Sequence, residues 1–120
     1  MTIIEQTTDQ NTTTLHLEGS FVYTQRKAFQ EAVRKACLQG ARRIVIDLSE
    51  VISVDSAALG LLMVTHRHLS NERRRLILAR PRVNVKEIIE LANLHEMIPM
   101  SDSGDLGTTS RPLKNSFEGC

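Results

Sequence analysis

The stretch RRIVIDL, residues 42 to 48, sets Ile44, Val45 and Ile46 in a row with no polar residue between them. A strand half open to water alternates apolar and polar side chains, so an unbroken run reads as a strand covered on both faces at a sheet centre. Upstream the period changes. Over residues 24–39, Ala28, Phe29, Ala32, Val33, Ala36 and Cys37 recur at the spacing of one helical face, while Arg26, Lys27, Gln30, Glu31, Arg34 and Lys35 cover the other. Thr24 is the predicted N-cap of this helix and Gly40 its C-terminal stop. Downstream, SEVISVD connects to a second predicted helix over residues 56–70, and RLILA (75–79) is another covered strand. Covered strands alternating with helices require right-handed crossovers and at least partly parallel pairing, which places the chain in the α/β class.

The ends complete this pattern. TIIEQ forms a short strand. Beyond the polar TTDQN turn, TTTLHLEGSFV alternates, with Leu15 and Leu17 on one face and Thr14, His16 and Glu18 on the other. That alternation predicts a leading antiparallel hairpin. A third helix starts at Asn84, with Glu87 three residues on as in a capping box, and Val85, Ile88, Ile89 and Ala92 form its inner stripe. Asn93 stands where a helix-terminating glycine is usual, and EMIPM (96–100) reads as a short edge strand suited to Pro99. The expected organisation is one domain over residues 1–100, built on a mixed sheet of about four to five strands with interspersed helices. Residues 101–120, rich in Ser, Gly and Thr without apolar periodicity, are expected to form a flexible polar tail.

Several functions find no support in this sequence. A net charge of +1 supplies no field for nucleic acid or an acidic membrane, and one Tyr, three Phe and no Trp provide no platform for stacking bases. The apolar run AALGLLMV is far shorter than the roughly 20 residues of a membrane span. No secretion signal is apparent, and two cysteines, Cys37 in an apolar stripe and Cys120 at the last position, suit a reducing cytoplasm. Neither GxxxxGK[ST] nor GxGxxG occurs, and no GxSxG elbow supports a serine hydrolase. His66 and His68 lie about 200° apart around a helix and cannot share a metal. The arginines of NERRRLILARPR read as a solvated helix end and strand flanks. The expectation is a protein without catalytic activity, metal or cofactor.

The stretch SVDSAALG, residues 53–60, differs in kind. Ala57, Ala58, Leu59, Leu61, Leu62, Met63 and Val64 make the first two turns of the second helix apolar almost all round. Only one side can face a sheet, so the other is left for solvent or a partner. Gly60 costs about 1 kcal/mol relative to alanine within a helix and permits close approach of another backbone. Ser56 reads as both the cap of this helix and a site, because N–H groups point outward in the first turn and a phosphate is favoured by the helix end. Such a phosphate adds up to about two negative charges beside Asp55, at the edge of an apolar surface.

With this motif the sequence resembles a STAS domain of the bacterial anti-sigma-factor antagonist family, over about residues 2–100. The most specific segment is IVIDLSEVISVDSAALGLL; GSFVYTQRKAFQEAV resembles the family's segment from second strand to first helix, and VKEIIELANLHEMI its last helix and strand. The resemblance implies a partner-switching protein with Ser56 as phospho-acceptor. An anti-sigma factor acting as serine kinase would phosphorylate it and a PP2C-like phosphatase would reverse that. The unphosphorylated form would bind the anti-sigma factor and release the sigma factor. Asp55 would shape the acceptor loop, and Leu59, Gly60 and Met63 would contribute to docking. Tyr23, Ser53 and Ala57 complete the implied partner-binding set, and Ser53 is the weaker alternative acceptor. The alternative is a STAS scaffold, or a subunit of a larger signalling or transport assembly, that works without phosphorylation. Two departures stand out. The family's frequent Gly-Glu-Leu-Asp is here GSFVYTQ, altering the partner-facing loop, and Ala57 and Ala58 replace its frequent second Ser and Gly.

Overall fold

In a computed structural model describing residues 2–7 and 11–101, five strands form one sheet in the order of the chain. These are β1 (Thr2–Thr7), β2 (Thr12–Phe21), β3 (Arg43–Val54), β4 (Arg75–Ala79) and β5 (Met100–Ser101). β1 pairs antiparallel with β2, and each later neighbour pairs parallel. The crossovers are α1 (Arg26–Leu38), α2 (Ser56–Asn71) and α3 (Val83–Leu91). Apart from Ser101, the expected polar tail lies outside the described residues.

Right-handed crossovers that always step the same way put every helix on the same face of a sheet. The core shows that result. Leu15 and Leu17 of β2, Ile44 and Ile46 of β3 and Leu76 and Leu78 of β4 share one buried cluster with Phe29 of α1, Leu62 of α2 and Ile89 of α3. Phe21 closes the end of β2 by packing on Phe29, ring centroids 5.1 Å apart. On the opposite face Val45, Ile77 and Ala79 form a smaller buried group.

Four local expectations give way to tertiary contacts. Strand β3 does not stop at Leu48; it continues through the predicted connector to Val54, paired with β2 across two register shifts. Each shift adds a residue to β3 and so breaks the period-2 signal. Gly19, at φ +98°, sits at the second shift, in backbone territory that other residues avoid. Thr24 is not the cap of α1. A 3-10 turn occupies Tyr23–Gln25 and the helix starts at Arg26, with no side-chain cap. Asn84 does not cap α3 either: the helix begins at Val83, and Asn84 Nδ2 donates to Ile52 O of β3 at 3.0 Å. The last strand is shorter and later than EMIPM, because Leu94 and Ile98 are drawn into the core and Leu94–Glu96 forms a 3-10 turn. Gly40 at φ +94° and Asn93 at φ +61° do take the left-handed conformations foreseen at helix ends.

A polar row crosses the face opposite the helices. Asp47 of β3, its side chain 4% exposed, faces His16 Nδ1 at 2.6 Å and receives the Arg80 guanidinium, and His16 Nε2 lies 2.8 Å from Gln6 Oε1. The Ser49 N–H donates to Asp47 Oδ1 at 3.0 Å. Burial pushes the Asp47 carboxyl up, but the hydrogen bonds from Arg80, from Ser49 and from His16 together outweigh it and hold the carboxyl below its ordinary range. A carboxyl lowered on folding gives stability that is complete above the unfolded value of about 3.9 and is lost as pH falls through the folded value. Asp47→Asn is therefore expected to cost about 2 kcal/mol at neutral pH. Urea unfolding at a series of pH values will show it, with the difference from wild type shrinking below about pH 4.

Candidate functional site

The parallel strands β2 and β3 end side by side, so the turn leading into α1 and the start of α2 meet at one end of the sheet. Ser20 and Ser53, directly paired in the ladder, hydrogen bond through their hydroxyls at 3.1 Å. Two residues beyond Ser53, Asp55 adopts an extended conformation (φ −107°, ψ 175°) and caps α2. Its Oδ1 accepts from Ala58 N–H at 2.8 Å, the side-chain bond that satisfies an otherwise orphan donor of a first helical turn. Its Oδ2 accepts from the Tyr23 N–H at 3.0 Å. One carboxylate thus clasps the two segments together.

Ser56 follows as the first residue of α2 and is exposed. The hydroxyl therefore stands at the positive end of a 16-residue helix without being needed for the cap, which Asp55 supplies. Along the helix, Ala58, Leu62, Thr65 and Leu69 turn into the core. Ala57, Gly60 and Val64, three and four residues apart, form the outward line, with Val64 59% exposed. A Cβ built on Gly60 would meet nothing within 4 Å, so that surface is open. Leu59 and Met63 are half-buried against the core and offer this face only part of their side chains.

Tyr23 is 54% exposed, and the Arg26 guanidinium stacks over its ring at 4.4 Å from the centroid. The structure thus gathers Tyr23, Ser53, Asp55, Ser56, Ala57 and Gly60 at one end of the molecule, with Leu59 and Met63 half-exposed alongside. Sequence reasoning left out three members. Val64 belongs to the outward line, and the helical count from Ala57 and Gly60 reaches it. Arg26 and Ser20 join through contacts that only the strand pairing brings about.

The remaining candidates separate. Arg74 and Arg75 stand at the start of β4; Arg80 and Arg82 lie past its other end, reaching Asp47 and Glu50, so the arginines of NERRRLILARPR form no single patch. Among the described residues no group of three His, Cys, Asp or Glu is placed to hold a metal ion, and no helix is long and apolar enough to cross a membrane.

Comparison with known proteins adds three findings. The family model for the STAS domain matches residues 4–106. A STAS-domain containing protein of Pseudomonas aeruginosa (strain UCBPP-PA14) is 27% identical over 88 residues, which cover 73% of this chain and 86% of that protein. The fold is shared with the anti-sigma factor antagonist SpoIIAA. Its unphosphorylated form superposes with a TM-score of 0.74 at 19% identity over 88% of this chain and 92% of the other. The phosphorylated form of the Bacillus protein gives 0.68 at 17% identity over 88% and 96%.

Removal of the clasp has a local signature. Asp55→Ala is expected to cost about 1 kcal/mol, the usual value of a lost N-cap. Amide hydrogen exchange at Tyr23 and Ala58 should speed up at least tenfold while amides of β3 and β4 keep their protection.

Proposed function

Since the chain belongs to the STAS-domain family, we propose that it is an anti-sigma-factor antagonist switched by phosphorylation of Ser56. The observation that carries this reading is the geometry of Ser56: an exposed hydroxyl at a helix start capped by another residue, bordering an open apolar line. In the dephosphorylated state the line of Ala57, Gly60 and Val64, together with Tyr23 across the clasp, docks onto an anti-sigma factor that is also a serine kinase, and the sigma factor is released. The smooth surface at Gly60 lets the partner's backbone approach closely.

Phosphorylation moves the γ-phosphoryl group of ATP to Ser56 Oγ, whose proton is lost as ADP leaves. Hydrolysis by a PP2C-like phosphatase returns the hydroxyl and inorganic phosphate. The added group carries up to about two negative charges and strongly held water, so burying it against a partner's apolar surface is costly. The fold itself tolerates it, because Ser56 points away from the core and the helix end favours an anion. Ser53 is the poorer acceptor, since its hydroxyl is engaged with Ser20. In this role the chain contributes no catalytic group, requires no metal or cofactor and acts in the cytoplasm.

Isothermal calorimetry against the purified anti-sigma-factor kinase of the source genome tests the reading. Ser56→Ala is expected to bind as the unmodified protein does, and Ser56→Asp at least tenfold more weakly. Equal affinities for the two variants would overturn phosphorylation control at this residue.

A further inference from the structure

Building on Ser56 as the phospho-acceptor, we infer that Arg26 is the internal receiver of its phosphate, leaving the Tyr23 ring when Ser56 is phosphorylated. The Asp55 clasp is what brings the two together. Tyr23 N–H and Ala58 N–H bind the same carboxylate at 3.0 and 2.8 Å, so the residue that follows Asp55 lies beside the turn that carries Tyr23. Arg26, three residues past Tyr23 and at the start of α1, lays its guanidinium on that ring at 4.4 Å.

The distribution of the described arginines singles it out. Arg34 pairs with Glu31, Lys35 with Glu5, Arg74 with Glu72, Arg80 with Asp47 and Arg82 with Glu50. Arg42, Arg43 and Arg75 stand at the beginnings of β3 and β4, the opposite end of parallel strands from Ser56. Arg67 and Arg73 belong to the far end of α2 and the turn beyond it. Arg26 is at the Ser56 end, held by an aromatic face rather than by a carboxylate. Lys27 is its neighbour in sequence, but points about 100° away around α1.

A phosphate on Ser56 places two kinds of negative charge side by side, the phosphoryl oxygens and Asp55. The Arg26 guanidinium neutralises them, and a bidentate arginine–phosphate pair is stronger than stacking on an exposed tyrosine. Phosphorylation therefore acts on both halves of the docking face at once. It adds charge at α2 and takes the arginine off Tyr23, which changes the shape and charge of the turn before α1.

The test installs phosphoserine at position 56 of the full chain by genetic encoding and follows the protein by NMR. Tyr23 is the sole tyrosine and there is no tryptophan, so its ring is a single reporter. Two results are expected together. The second pKa of the phosphate, ordinarily about 6, should rise by about half a unit or more in Arg26→Gln relative to the unsubstituted phosphoprotein, and stay in place in Lys27→Gln. The ring-current shifts of the Arg26 side chain should vanish on phosphorylation. A titration identical with and without Arg26, or ring-current shifts that persist in the phosphoprotein, would overturn the assignment. Because the phosphate is installed rather than transferred, these readouts do not depend on whether a kinase modifies Ser56 in the cell. Absence of phosphate there would count against the proposed function alone.

Discussion

The Asp55 carboxylate has two oxygens and uses each for a different segment. Oδ1 holds the first turn of α2 through the Ala58 N–H, and Oδ2 holds the turn before α1 through the Tyr23 N–H. Without the first bond the helix start loses its side-chain cap; without the second the two halves of the site are joined only by the sheet beneath them. The clasp also frees Ser56. In many helices a serine at this end spends its hydroxyl on the cap, whereas here the preceding aspartate does so and leaves the hydroxyl facing water.

A clasp of this kind is only as well placed as the strands that carry it. Tyr23 follows the end of β2 and Asp55 the end of β3, and these strands stay paired to Phe21 and Val54 despite two inserted residues in β3. The apolar helix face of the sheet and the row of Gln6, His16, Asp47 and Arg80 on its other face fix that pairing from both sides. Asp47 matters most among them. It lies in β3, the strand that leads to Asp55, is almost fully buried, and is kept charged by the partners on either side of it.

Much of this was legible in the residues alone, for reasons that differ by element. Ile44–Ile46 and Leu76–Ala79 declare themselves because strands covered on both faces carry uninterrupted apolar runs. The α1 stripe does so because Phe29, Val33 and Ala36 keep helical spacing. Residues 49–54 did not, because bulges destroy the alternation that marks a strand. Thr24 and Asn84 misled for a different reason. Both have the right chemistry for caps, yet the strand ends claim the neighbouring groups: Tyr23 N–H goes to Asp55, and the Asn84 amide goes to Ile52. In the site, Ser56 was readable as the start of α2 because a helix start is a local pattern, but its neighbour Asp55, not Ser56, supplies the cap. The Tyr23–Asp55 bond spans 32 residues, and Arg26 joins only through it, so no local spacing announces either.

Central to this account is that a phosphate on Ser56 changes a surface and leaves the fold beneath it intact. Amide hydrogen exchange of the whole chain, compared with and without phosphoserine at position 56, tests that directly. The expected result is unchanged protection through β2, β3 and β4, with differences confined to the turn before α1 and the first turns of α2. Loss of protection across the central strands would contradict it, since the phosphate would then act by loosening the core rather than by altering the docking face.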